Sequence, residues 1–476
     1  MIIIDAIKER AHGARVAIRE GERELTFDEL FFAVAELRDR LLTCPPFRQP
    51  GVPRIGVRFP NGLGYIVVAM AVLETKACFV PIPDELTKRE RDILIGETAL
   101  HGVVSVMGLD DVELGIELPL GLGRAVVEEC KKLTCAFSEA AFDELNPAFI
   151  RFSSGTTAAS KGVILSHESL LERIQSANEG LKIEPGDCVL WTLPMAHHFA
   201  VSIVLYLYYG AKTVIEASHQ PDQIYQAAKE SGATLLYGSP FHFAQLAQCA
   251  EAEPLPELQL AVSTASALSE GVAEAFQKRF GLPLTQALGI IEVGLPIMNR
   301  EHAEDIPTAL GQVLPAYESR LFTIDGDTRV GELLFRGPGM FDAYLSPWQL
   351  REEICTDGWF ATGDLVEEVE AGTLMMRGRS KSVINVGGMK VFPEEIEAVL
   401  NEHPSVFQSR VVACHHPTLG GFPVGEFICK EDCNTPTSLE LIRYCGERLA
   451  SYKTPVEIKK VKFIDLTASG KIKRSD

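Results

Sequence analysis

The stretch FIRFSSGTTAASKGVILSH, Phe149 to His167, carries an apolar run into a loop rich in hydroxyls. Ser153, Ser154, Gly155, Thr156, Thr157 and Lys161 combine short hydrogen-bond donors, a permissive backbone position and a cation. Backbone N–H groups and hydroxyls at a strand-to-helix turn hold phosphate, and a lysine adds charge. The loop is not of the G-x-x-x-x-G-K-[ST] type. Lys161 precedes Gly162, and Val163 stands where Ser or Thr would be required. A polar surface turn would read the same way over this stretch alone, so the rest of the chain decides.

Other chemically capable residues follow in order. ALGIIEVG (Ala287–Gly294) sets the carboxylate Glu292 three residues after Gly289. DGWFATGDL ends on Asp364 and Leu365, and RGRSKSVINVGGMKVFPEEIE holds Arg379, Lys381 and the pair Gly387 and Gly388. TASGKIKR, near the C-terminal end of the sequence, holds Lys471. A carboxylate can accept both hydrogens of a diol, chemistry that Asp364 has the residue type to supply. Each also has a plainer reading: a turn acid for Asp364, a surface cation for Arg379, a solvated basic tail for Lys471.

The elements that must position these residues alternate. Strand-like runs at Arg54–Phe59, Ala148–Phe152, Ala211–Glu216, Ala233–Tyr237 and Leu258–Ser263 are separated by helical patterns, which predicts parallel sheets covered by helices. Ser166 can N-cap a helix over roughly 167–179, with Gly180 at its C-terminal end. From 311 to 378 short β runs predict an antiparallel or barrel-like subdomain, and 382–476 suits a small α+β domain. The expectation is therefore an α/β protein. It has a large N-terminal domain, 1–380, with two parallel-type sheets plus a β-barrel-like subdomain, and a small C-terminal domain, 381–476.

Length and composition set bounds. At 476 residues the chain exceeds one ordinary core. A formal charge of −20 argues against bulk binding to nucleic acid or anionic membrane, so an anionic ligand needs a locally basic site. The 11 cysteines are scattered; Cys429 and Cys433 have no partner pair at zinc-site spacing, and reduced thiols in a cytoplasmic setting are expected. MIIIDAIKER is apolar for only four residues, unlike a signal peptide. Tyr65–Ile82, interrupted by Glu74 and Lys76, reads as a buried helix passing into a strand.

Taken together, the blocks resemble those of the adenylate-forming (AMP-binding) superfamily, in its acyl- and aryl-CoA synthetase branch. The hydroxyl loop is similar to that family's phosphate loop, with Ala158 in place of its second Gly and Ser160 in place of its Pro. GELLFRGPGMFDAY (Gly331–Tyr344) resembles a largely structural block. The resemblance implies that Glu292 holds Mg²⁺ at the ATP phosphates, that Asp364 and Arg379 meet the ribose, and that Lys471 bridges carboxylate and α-phosphate. It further implies that Lys381 is a hinge about which the small domain turns to bring Gly387 and Gly388 to the active site for the thiol step. Ile291 replaces the family's phosphate-contacting Thr, and Ser382 stands where an acid is usual.

The implied reaction forms an acyl- or aryl-adenylate from ATP and a carboxylic acid, then a coenzyme A thioester. LPMAHHFAVS (Leu193–Ser202) resembles a pocket block and places His197, with His198 beside it, at the acid site. Ser263, Thr264, Ala265, Ala287, Leu288 and Gly294 complete the expected lining, mostly small or apolar, which fits an aryl or fatty acyl group. A histidine where peptide synthetases set an Asp argues against an α-amino acid, whose ammonium would be buried unpaired. Two alternatives stay open on sequence alone: loading of an acyl carrier protein, and a degenerate nucleotide-binding protein without catalysis.

Overall fold

The computed structural model describes residues 2–10, 13–106, 115–131, 137–152, 161–218, 220–249, 253–323, 329–370, 372–386, 389–416, 420–430 and 433–465. The chain divides into two compact units. The first comprises Met1–Ser153, Ser160–Glu318 and Arg336–Gly358; the second comprises Ser319–Phe335 and Trp359–Asp476, with Ser154–Ala159. The 380/381 boundary expected from the sequence lies inside the second unit.

Two nine-stranded sheets build the first unit. In one, Lys212–Ile215, Cys188–Trp191, Leu235–Gly238, Leu260–Ser263 and Leu284–Ile290 run parallel, in that order. In the other, the parallel strands are Gly102–Val106, Arg54–Arg58, Cys78–Pro81 and Pro147–Phe152, after which Gly162–Ser166 returns antiparallel. Strands covered on both faces by helices need no polar alternation, and each of Cys78–Pro81, Cys188–Trp191, Leu235–Gly238 and Leu260–Ser263 is buried at every position.

The apolar run at Tyr65–Ile82 is a helix, Leu63–Glu74, followed by the strand Cys78–Pro81. The helix is buried on nearly every side, which is why its sequence has no polar face. No helix among the described residues is long and apolar enough to cross a membrane. The helix after the hydroxyl loop runs His167–Leu181, and the Ser166 hydroxyl accepts from Ser169 N at 3.0 Å, as expected of an N-cap. Its end differs from the expectation. The left-handed residue is Lys182, at φ 57°, whereas Gly180 lies within the last turn, where a Cβ would come within 2.5 Å of Met298 Sδ. Gly180 is small because a neighbour is close, not because the backbone turns there.

In the second unit, Glu318–Thr323, Val330–Arg336, Phe360–Glu370 and Thr373–Arg379 form a four-stranded sheet in that order. The 311–378 region thus supplies the antiparallel β layer. A five-stranded sheet follows, with Val406–His416 and Gly420–Cys429 as its long hairpin and Glu457–Lys460 added parallel to the latter. Helices Pro393–Asn401 and Ser438–Gly446 cover it around a core that includes Ile396, Leu400, Phe427 and Leu441. The α/β organisation expected from the sequence, large sheets first and a small α+β layer last, is the one found.

Candidate active site

Phe152 and Gly162 face each other across the antiparallel pair that brackets the hydroxyl loop. Ser153, Ser154, Gly155, Thr156 and Thr157 lie outside the described residues. Lys161, at the loop's exit, is exposed, and its Nζ sits 4.3 Å from the centroid of the Tyr344 ring. Tyr344 is brought there by strand Ala343–Leu345, which pairs with Gly162–Ser166 in the register Tyr344 to Val163. Its hydroxyl donates to Glu292 Oε1 at 3.0 Å. Burial, the charge of Glu292 and this bond push the Tyr344 phenol well above its ordinary range, so it remains a donor throughout neutral pH. The sequence-expected cation and carboxylate are therefore joined through one aromatic side chain.

The backbone beneath Glu292 is also fixed. Its carbonyl accepts from Phe341 N at 2.8 Å, and the Ile291 carbonyl accepts from Arg173 Nη1 at 2.7 Å. Arg173 lies on the helix His167–Leu181, is 1% exposed, and donates through Nε to Gly339 O at 2.8 Å. Gly339 has φ +66°, and a Cβ there would stand 2.5 Å from Arg173 N, so only glycine fits. Arg173 and Tyr344 are site residues that sequence reading did not single out. Their one signal is an arginine on the apolar face of LLERIQSA, and a tyrosine ending GELLFRGPGMFDAY.

Where the sequence led us to expect the acid, Asn61 clasps the segment before the histidines, accepting from Met195 N at 2.8 Å and donating to Leu193 O at 3.1 Å. His197 follows on the short helix Met195–His198, 9% exposed, and its Nε2 is buried without a hydrogen-bond partner among the described residues. Burial, then the nearby charge of Arg151, hold its pKa down to about 4, so the ring is neutral at pH 7. His198 instead turns its ring edge to Trp191 at 5.7 Å.

Ser263 ends its strand fully buried, with an Oγ that has no partner among the described residues. Thr264 Oγ1 donates to Ala287 O at 3.1 Å, and Gln286, level with Ser263, accepts from Leu268 N at 2.8 Å. These bonds gather Ser263, Thr264, Ala265 and Ala287 at one end of the parallel strands. Ala265 holds a left-handed φ of 73° in that turn. Leu288 and Gly289 continue along strand Leu284–Ile290, and Gly294 begins the returning strand.

In the second unit, Asp364 is 1% exposed and pairs in register with Arg379, whose Nε is 2.6 Å from Asp364 Oδ1. The turn before it is held by Gly363 N to Glu332 Oε1 at 3.0 Å and by Thr362 Oγ1 to Leu333 O at 2.7 Å. Lys381 falls in the one-turn helix Ser380–Ser382. Gly387, Gly388 and Lys471 lie outside the described residues.

Residues 6–345 match the family model of the AMP-binding enzyme, and residues 395–471 match that of the AMP-binding enzyme C-terminal domain. The chain belongs to the AMP-binding enzyme family. As a member of that family it is 26% identical over 509 residues to 4-coumarate–CoA ligase-like 4 of Oryza sativa subsp. japonica, covering 100% of this chain and 92% of that one. It is also 26% identical to 2-succinylbenzoate–CoA ligase of Bacillus cytotoxicus, over 97% of this chain and 95% of the other. Among solved structures, ATP-bound MatB from Rhodopseudomonas palustris has the same fold. The TM-score is 0.85 at 20% identity, over 99% of this chain and 97% of that one. The o-succinylbenzoate CoA synthetase MenE from Bacillus subtilis, in complex with the acyl-adenylate intermediate OSB-AMP, superposes with a TM-score of 0.84. Its identity is 19%, over 100% of this chain and 97% of that one.

Proposed function

We propose that this chain is an ATP-dependent acid–thiol ligase. A carboxylate attacks the α-phosphate of ATP, releasing pyrophosphate and leaving a mixed acyl–phosphate anhydride. The coenzyme A thiol then displaces AMP to give a thioester. The observation that carries this reading is the line Lys161–Tyr344–Glu292 at the exit of the hydroxyl loop, in a chain whose similar proteins include CoA ligases.

Charge builds on phosphate oxygens in the first step, and groups fixed in advance stabilise it best. Lys161 and the loop donors Ser153, Ser154, Gly155, Thr156 and Thr157 would face those oxygens. Glu292 is the residue that would hold Mg²⁺. The donor set fits: one carboxylate, with one oxygen engaged by Tyr344 and, among the described residues, the other open to a cation. Mg²⁺ is commonly held by one or two carboxylates plus substrate phosphates, not by an all-protein cage. When bound, the ion would neutralise phosphate charge.

Asp364, fixed by Arg379, would accept the ribose hydroxyls, and Lys471 would reach the reacting carboxylate in the first step. Lys381 would serve as the hinge, with a mobile domain from 381 onward carrying Gly387 and Gly388 to the thiol step. Neutral His197 would line the acid pocket together with Ser263, Thr264, Ala265, Ala287, Leu288 and Gly294, a lining suited to an aryl or acyl group. The scattered cysteines, with no paired framework, support a cytoplasmic setting.

Pyrophosphate release across a panel of aryl and aliphatic acids, with and without coenzyme A, tests the reading. Acid-dependent release and a CoA-dependent thioester are expected. Release without any thioester would point to a carrier protein as acceptor, and nucleotide binding without release would leave a non-catalytic protein.

A further inference from the structure

The strand Pro147–Phe152 is apolar until its fifth residue, Arg151. Side chains alternate along a strand, so Arg151 shares the face of Phe149. Phe149 stacks on Phe79 at 5.5 Å, and Phe79 packs against Phe199 at 5.6 Å and Tyr65 at 6.2 Å. Phe199 is two residues past His197. Phe79 and Phe149 are register partners, so Arg151 stands level with Pro81 at the C-terminal end of the parallel strands, where ligands of open α/β sheets bind.

Three polar atoms are buried in this neighbourhood. Arg151 Nε, His197 Nε2 and the Tyr65 hydroxyl are shielded from solvent, and none has a hydrogen-bond partner among the described residues. Burial and the like charge of Arg173 press the Arg151 guanidinium down to about 10, opposed by Glu292 and Tyr65, so it is still a cation at pH 7. The same charge is felt at both His197 and Tyr65, which puts the three in one electrostatic neighbourhood. An arginine whose Nε is buried and unpaired, beside two further buried polar atoms without partners, is costly, and a folded protein retains such a set where something else completes it.

We propose that Arg151, with His197 Nε2 and the Tyr65 hydroxyl, forms an anion-recognising end of the acid pocket. The preferred acid then carries a second carboxylate or other oxyanion beyond the carboxyl group that is activated. This rests on the ligase reading and sharpens it. The activated carboxylate loses its charge when it becomes the mixed anhydride, so it cannot balance Arg151 through both steps. A second oxyanion is not consumed and can. Guanidinium recognises such groups with two parallel hydrogen bonds, which lysine cannot imitate.

The test compares matched acids with the full-length enzyme: benzoate against terephthalate, and hexanoate against adipate, read as pyrophosphate release. Wild type is expected to favour the diacid of at least one pair by about tenfold or more in kcat/KM. Arg151→Met should remove that preference and improve use of the monoacid, with KM for ATP within about twofold of wild type. Arg151→Lys should fall between and controls for folding, as does a melting curve of each variant.

Equal use of monoacid and diacid by wild type overturns the proposal while leaving the ligase reading intact. A rise in KM for ATP in Arg151→Met, with both acids slowed alike, assigns Arg151 to the phosphates and also overturns it. Calorimetric binding of the same acids without ATP covers the remaining case, in which no acid releases pyrophosphate. Diacid binding that Arg151→Met abolishes upholds the pocket while the ligase reading falls; binding that does not depend on Arg151 overturns the pocket as well.

Discussion

The Tyr344 hydroxyl donates to Glu292 Oε1 at 3.0 Å while the Tyr344 ring carries Lys161 Nζ 4.3 Å from its centroid. One side chain thus touches both the carboxylate and the cation proposed to meet the nucleotide phosphates. Tyr344→Phe keeps the ring and removes only the bond to Glu292. A hydrogen bond to a charged group contributes about 1.5–3 kcal/mol, so kcat/KM for ATP is expected to fall roughly ten- to a hundredfold. The melting temperature should change little. A variant with full activity would show that Glu292 needs no orientation by Tyr344.

Stability should depend on pH through two histidines. His167 is 1% exposed, its Nδ1 accepts from Ile3 N at 3.2 Å, and burial chiefly holds its pKa down to about 4. His197 is held to about 4 by burial and Arg151. Both are depressed below the unfolded value of 6.5, so the unfolded chain takes up protons first as pH drops. Their contribution is fully present above pH 6.5 and is lost as pH falls towards 4, about 3 kcal/mol at most for each. Urea unfolding at pH 7.5 and 4.5 checks this, and His167→Gln, which can still accept from Ile3 N, should flatten part of the slope. An unchanged slope in that variant would mean that His167 titrates normally.

Much of this molecule is legible in its sequence because many of its signals are local. Ser166 caps the helix it was expected to cap, since an N-cap needs only residues three apart. The strand expected at Ala211–Glu216 shortens to Lys212–Ile215, because Ala211 N is taken by Tyr206 O at the end of the preceding helix. What the sequence hides is long-range. Arg173 reaches carbonyls 118 and 166 residues away, so nothing near it announces that it fixes the Glu292 backbone. Gly180 looks like a helix terminator, and only the neighbouring Met298 sulfur reveals why it is small. Arg151 resembles a strand-end surface cation until the ring contacts show which face it shares with Phe149.

In the proposed reaction, Lys471 and Lys381 would divide the two half-reactions between them. Lys471→Ala should cripple adenylate formation by at least about tenfold, as loss of a charge-assisted contact implies, while sparing thioester formation from supplied acyl-adenylate. Lys381→Pro fixes φ at the one-turn helix Ser380–Ser382 and should leave adenylation near normal with slow thioesterification. Rapid-quench measurement of each half-reaction separates the two. Equal losses in both half-reactions for either variant would remove the assigned division of labour.

Ile291 presents the last contrast. Its carbonyl is held by Arg173 Nη1 at 2.7 Å, so the position of residue 291 is set by the backbone and not by its side chain. The side chain is only partly buried, one residue before Glu292, and offers no donor to a phosphate. A threonine there keeps the β-branch and adds a hydroxyl, and the Arg173 bond is untouched because it uses the carbonyl. Ile291→Thr is therefore expected to raise kcat/KM for ATP by about tenfold, the lower end of what one hydrogen bond to a charged group contributes. The gain is expected to stay at that end because, in the proposed site, an anion held by Lys161 and the loop hydroxyls would benefit little from one more donor. Steady-state kinetics with ATP varied at saturating acid measure it. A variant that folds, binds acid and runs slower than wild type would show that Ile291 packs against its neighbours and does not face the phosphates.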